Sequence, residues 1–216
     1  AGIAVVITFS RSSYIAFIAA VGLLGTIKSR KLLLLFIAFA LASFIFIPRV
    51  QTRVIGALEI DETAKVRLEV YDRTFAIIAE DPWFGVGFNA FRYAQDREGY
   101  FRDERGVNDY GGHAGAGSDS SILFILATTG IPGLILFLSF GITVLFDSIK
   151  MYLDKNLPDR FRLYALTVGV SLVALFIHTQ FVNSLFYTWI MEWYWVILGL
   201  MYGFWQKFRH PTHKYV

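Results

Sequence analysis

Ser118 to Gly133 reads SDSSILFILATTGIPG, an acid among three serines standing directly before an almost wholly apolar run and reached through the glycine-rich GGHAGAG. Ser or Asp at such a place is the favoured cap of a helix, worth about 1 kcal/mol. Either Ser118 or Asp119 can fill that role, so capping alone does not require the acid. The alternative for Asp119 is chemistry: a carboxylate that takes the proton of an attacking hydroxyl, or that orients a substrate by accepting hydrogen bonds. His113, six residues upstream, is a second candidate base, against the ordinary solvated state of a lone loop histidine. Polar groups also interrupt the later apolar runs. His178, Gln180 and Asn183 cluster near the outer end of one run, and Glu192 lies roughly two turns inside the next. At membrane depth such groups face a bundle interior and often mark a site. Helix-to-helix hydrogen bonding is the competing reading, preferred for Gln180 and Asn183.

The elements that must position these residues are apolar helices. The chain has 216 residues, of which 56% are hydrophobic and 17% charged, with a mean hydropathy of +0.53. Its apolar residues fall in long runs separated by charged stretches, the pattern of a polytopic membrane protein. Absence of cysteine excludes disulfides and thiolate metal sites, and a net charge of +3 is too small to imply a nucleic-acid partner. Apolar runs cover residues 1–9, 12–27, 32–47, 121–146, 163–182 and 185–205. Arg11 within TFSRSS would cost several kcal/mol in mid-membrane, which favours a break between two helices there, with Arg11 at the surface. The chain opens at Ala1 inside an apolar run and without the basic n-region of a signal peptide, and reads as part of a longer protein.

Three short segments, KSRK at 28–31, Asp147 to Arg162, and the tail from Gln206, carry ten Lys/Arg and three acids between them. The positive-inside rule places them in the cytoplasm, so that residues 48–118 and the FVNSLF turn face outward. The expected organisation is N-terminal transmembrane helices over 1–47, an extracytoplasmic loop domain over 48–118, three transmembrane helices over 119–206 and a cytoplasmic tail over 207–216. Within the loop, DETAKVRLEVYDRTFAIIAEDP predicts an amphipathic helix with apolar positions at Val66, Val70, Phe75, Ile77 and Ile78. Asp61 or Thr63 would cap it and Asp81-Pro82 would end it. WFGVGFNAF reads as a turn with aromatic anchors at the membrane interface, and residues 94–118 as a polar, glycine-rich, mobile stretch. A loop this elaborate is usually functional.

Three patches, in this order and on this side, resemble the O-antigen ligase and O-antigen polymerase family of bacterial membrane glycosyltransferases. TFSRSS is similar to the family's Thr-x-Ser-Arg-small turn. Arg67, Tyr71, Pro82, Gly85, Gly87 and Phe91 match its Arg, aromatic, Pro, Gly-x-Gly, aromatic pattern, with Tyr71 standing where Trp is usual. DSSILFILATTGIPGLILF is similar to its His-Asn-x-x-Leu…Thr-Gly-x-x-Gly-Leu segment. Here the register of the family's His holds Asp119, and that of its Asn holds Ser120. The resemblance covers about a third of the chain and implies the C-terminal half of such a protein.

That resemblance implies an all-α, polytopic protein of the bacterial inner membrane that moves a glycan from a polyprenyl-diphosphate carrier to the hydroxyl of a glycan, lipid or protein acceptor on the outer face. Partners would be that donor, that acceptor and membrane lipid, with no nucleic acid. Negative charge grows on the leaving diphosphate, and guanidinium forks suit phosphate. Arg11 and Arg67 are the catalytic candidates by this route, Arg73 a weaker, substrate-binding one, and no metal or other cofactor is required. Each has an ordinary reading too: Arg11 as a snorkelling boundary residue, Arg67 as a helix-face charge paired with Asp61, Glu62 or Glu69. Asp119 and His113 compete for the place of the family histidine, while His178 and Glu192 are substrate-binding candidates. A transporter or flippase-like protein for lipid-linked sugars, or a non-catalytic homologue, is the rival function.

Overall fold

The computed structural model describes residues 2–56, 62–100 and 118–209, and among them the chain is helical with no strand. The elements are α1 (Gly2–Thr8), α2 (Arg11–Lys28), α3 (Arg30–Phe46), α4 (Pro48–Ile55), α5 (Glu62–Glu80), α6 (Phe91–Arg97), α7 (Ser121–Leu153), α8 (Asp159–His178), a 3₁₀ turn at Ser184–Phe186, and α9 (Thr188–Arg209). Of these, α7 and α8 are long and apolar enough to cross a membrane. The chain divides into two compact units.

The first unit comprises Ala1–Gln51, Phe140–His178 and Leu185–Val216. Here α2 packs against α1, α3 and α8, and α8 against α9. The break expected at TFSRSS is present: Phe9 takes φ 50°, a conformation that bulky residues rarely adopt, and separates α1 from α2. The core is made by Val144, Met151, Leu157, Ala165, Val168, Leu198 and Met201. Its polar edge is tied by Tyr164, whose hydroxyl donates to the Ile197 carbonyl at 2.9 Å, and by Tyr202, whose hydroxyl donates to Asp147 at 2.9 Å.

The second unit comprises Thr52–Ser139 and Thr179–Ser184. The amphipathic helix forms as α5 and stops at the residue before Asp81-Pro82, with Val70, Ile77 and Ile78 inward as expected, but its buried face is only partly the expected one. Thr74 and Ile77 are fully buried and Arg67, Val70, Tyr71 and Ile78 partly so, whereas Val66 and Phe75 are more than half exposed. The inward residues follow i, i+3, i+4, i+7 steps from Arg67. A pattern read from apolar residues alone missed this because two inward places are held by Arg and Tyr. Asp61, a proposed cap, lies outside the described residues, and Thr63 falls inside the helix. α6 also reaches into the stretch expected to be irregular, because Phe91, Ala94 and Gln95 are buried, the first two beside Ile77 and Ala127. An edge-to-face contact between Phe91 and Phe124, with centroids 5.3 Å apart, secures it.

What fastens this unit is an exchange of backbone hydrogen bonds at a kink in α7. Pro132 lacks the N–H that would bond the Thr128 carbonyl, and Gly130 at φ 67°, ψ −173° breaks the helical path. The loop after α5 supplies the missing partners. Val86 N–H donates to the Ala127 carbonyl at 2.9 Å, Gly87 N–H to the Thr128 carbonyl at 3.0 Å, and Ile131 N–H to the Pro82 carbonyl at 2.9 Å. Such close approach leaves no room for side chains. A Cβ on Gly85 would lie 2.7 Å from the Ala127 oxygen, and one on Gly130 would overlap the Trp83 carbonyl.

Gly130→Ala should therefore destabilise the detergent-solubilised protein by about 3 kcal/mol or more, from the backbone conformation and the clash together. Gly141→Ala, on the same helix but with nothing within 4 Å of the new methyl, should be neutral or stabilise by up to about 1 kcal/mol. Thermal unfolding of both variants checks the pair, and equal midpoints would remove the kink's assigned role.

Candidate functional site

The serines around Asp119 are construction, and the acid is what they leave exposed. Ser118, Ser120 and Ser121 are all buried. Ser120 Oγ accepts the Leu123 N–H at 3.3 Å and so caps α7, while Ser118 Oγ accepts the Ser120 N–H at 3.3 Å. The cap is therefore Ser120, and neither Ser118 nor Asp119 fills that place. The turn after α8 completes the knot. Thr179 gives its carbonyl to the Ser121 N–H at 2.9 Å, and the Ser121 hydroxyl donates to Asn183 Oδ1 at 2.9 Å. Asn183 thus has the packing role preferred for it, although from a turn, since α8 ends at His178.

Asp119 points instead at Arg67 on α5, with Oδ2 3.6 Å from Nε; the two side chains are 48% and 32% exposed. An ion pair this open contributes less than about 1 kcal/mol, and it leaves Arg67 Nε buried without a hydrogen-bond acceptor. One turn along the same face, the Tyr71 hydroxyl donates to the Gln180 carbonyl. Burial pushes the Tyr71 phenol above its ordinary value of 10.0, Arg67 pulls it back down, and Asp119 pushes it up. Arg67, Tyr71 and Asp119 thus form one cluster, anchored by the polypeptide of residues 179–183. Sequence reasoning noted Tyr71 only as an aromatic in a pattern; its i+4 relation to Arg67 is the signal that places it on the same face.

Arg73 is on a different face of α5, ion-paired with Glu69 and set over the Tyr100 ring at 5.2 Å. Arg11 opens α2 and is half-buried in the first unit. There Ser10 caps the helix by accepting the Ser13 N–H at 3.4 Å, and its hydroxyl lies 3.0 Å from that of Ser12. His178 ends α8 half-buried and Glu192 is exposed on α9, both in the first unit. His113 lies outside the described residues.

The family model described as O-antigen ligase matches residues 1–138. The chain belongs to the O-antigen ligase family. No curated protein matches it. Membership of the O-antigen ligase family gives a function of ligase or polymerase type in surface-polysaccharide synthesis and a membrane association. The matched span takes in Arg11, Arg67, Tyr71 and Asp119, whereas His178 and Glu192 lie beyond it.

Two outcomes check the geometry. Asp119→Asn should leave the melting temperature unchanged, because Ser120 holds the cap, whereas Ser120→Ala should cost about 1 kcal/mol. Tyr71 holds its proton more tightly folded than unfolded, so the stability from this tie is complete below pH 10.0 and falls as pH rises through the raised value. Tyr71→Phe should remove that part of the alkaline loss in a pH series of unfolding curves. An unaltered slope would show that the phenol is not held as described.

Proposed function

We propose that this chain is the C-terminal part of an inner-membrane enzyme that transfers a glycan from a polyprenyl-diphosphate carrier to an acceptor hydroxyl on the outer face of the membrane. The observation that carries this reading is the meeting of Arg67 and Asp119, with Nε and Oδ2 3.6 Å apart in one half-exposed cluster. Transfer forms a bond from the acceptor oxygen to the anomeric carbon, breaks the bond to the diphosphate, which leaves as the polyprenyl-diphosphate anion, and releases the acceptor's proton to water. Arg67 bears on the departing diphosphate, where a fixed guanidinium gains strength as charge develops. Asp119 receives the acceptor hydroxyl. In this reading it stands where the family histidine would, and its partial exposure suits accepting a hydrogen bond and orienting the sugar. The pair also gives the two substrates separate addresses: the anion meets the arginine, and the neutral hydroxyl meets the carboxylate.

The long apolar helices support a multi-pass protein of the inner membrane with the α5 region outside. α3 adds to that support, since Leu34, Leu35, Leu41, Ile45 and Phe46 are all more than half exposed on it, a surface that lipid or further helices would cover.

The test uses the full-length protein in vesicles with a polyprenyl-diphosphate glycan and an acceptor. Release of polyprenyl diphosphate is expected, with Arg67→Ala lowering it by about 100-fold or more, the loss typical of a removed transition-state donor, at an unchanged melting temperature. Asp119→Asn should lower turnover less and raise the acceptor KM. Donor binding without release, in wild type and Arg67→Ala alike, would refute the transfer reading and leave a lipid-linked sugar transporter or a non-catalytic homologue.

A further inference from the structure

The clasp between the loop and the α7 kink carries a rigid display of aromatic side chains. Trp83, Phe84 and Phe88 are 61%, 79% and 74% exposed, yet their backbone is held closely. Phe84 N–H donates to Asp81 Oδ1 at 3.0 Å, Gly85 N–H to the Asp81 carbonyl at 2.9 Å, and Pro82, Val86 and Gly87 bond to α7. Large apolar groups fixed in exposed positions mark a surface that meets something.

Continuity along α7 tells what. One turn past the clasp, Ile135 and Leu136 are 59% and 70% exposed on the same helix and in the same compact unit. From there to Asp147 the helix carries no charged residue. The non-helical Gly130 breaks α7 in two. Beyond it an uncharged stretch runs to Asp147, about 25 Å at ~1.5 Å per residue and close to the ~30 Å of a hydrocarbon core. With Asp147 at one boundary of the core, Gly130 and the clasp stand near the other, and the polar knot at Ser118–Ser121 lies on the polar side. Trp is enriched at that level because its ring is apolar and its N–H needs a polar partner.

We propose that Trp83, Phe84 and Phe88 form an interfacial anchor that lies among the lipid headgroups and upper acyl chains of the outer leaflet. By this anchor the α5 cluster is held at a fixed height above the hydrocarbon core, within reach of the diphosphate end of a lipid carrier and out of reach of its apolar tail. The anchor rests on α7 crossing the membrane, and does not depend on the transfer chemistry.

The chain contains no cysteine, so a single substitution gives a unique attachment point for a nitroxide spin label. Phe84→Cys, Phe88→Cys and, on α7, Leu136→Cys are labelled in otherwise unaltered protein. Each is reconstituted in phosphatidylethanolamine/phosphatidylglycerol vesicles, with folding verified by an unchanged melting temperature. Accessibility to oxygen, which concentrates in the acyl region, is compared with that to a water-soluble nickel chelate. Labels at 84 and 88 should favour oxygen several-fold, at a depth shallower than the label at 136. Nickel-dominated access at 84 and 88 with oxygen-dominated access at 136 would overturn the anchor and keep the membrane helix. Nickel-dominated access at all three sites would overturn both. Should a label at 84 meet only nickel and then be shielded by added lipid-linked glycan, the aromatics are a sugar platform and the anchor is wrong.

Discussion

A helix that carries Gly130 and Pro132 two residues apart loses backbone hydrogen bonds that something outside the helix must supply. In apolar surroundings each unmet group costs several kcal/mol, so the repair decides whether the helix can exist at all. The repair is made by main-chain groups of the loop that follows α5. Because α5 runs directly into that loop, the hydrogen bonds that mend α7 also fix where the α5 helix lies. Arg67 and Tyr71 stand on α5, and Asp119 stands just ahead of α7, so the cluster is a product of the same clasp. Its second support is the turn at 179–183, which offers one carbonyl to α7 and the next to Tyr71.

Both motifs that drew attention in the chain share a division of labour. In TFSRSS and in SDSS, small hydroxyl residues fold the turn and cap the helix, and in SDSS the acid is not the cap. Ser10 and Ser12 do this around Arg11, as Ser118, Ser120 and Ser121 do around Asp119. An acid at position 119 leaves the scaffold to its neighbours, since Ser118, Ser120 and Ser121 make the turn's hydrogen bonds. What the acid adds is negative charge beside Arg67. An acid there neutralises part of the cation's field.

Much of the helical layout was legible in the order of residues, because long apolar runs bounded by Pro, Ser or basic clusters permit few alternatives. The breaks at TFSRSS and at Asp81-Pro82 were readable for the same reason. The inward face of α5 was legible only in Val70, Ile77 and Ile78, since the rest of it goes to Arg67, Tyr71 and Thr74, which hydropathy does not count as inward residues. Ser120 as the cap was missed because three neighbouring candidates differ by only one residue of register. The pairing of residues 82–87 with residues 127–131 could not be read at all. Main-chain hydrogen bonds leave no side-chain signature, and the glycines show only that something passes close by.

The clasp also has a history in time. Residues 82–87 are synthesised before residues 127–131, so the loop's N–H groups cannot find these partners until α7 is made and bent. Most contacts in a helical protein form within or between neighbouring elements, but this one joins distant parts of the chain and closes a large loop, at the entropic cost that implies. Maturation of the second unit is thereby deferred to the completion of α7, and a chain interrupted before Gly130 would carry the arginine of the cluster without the structure that aims it.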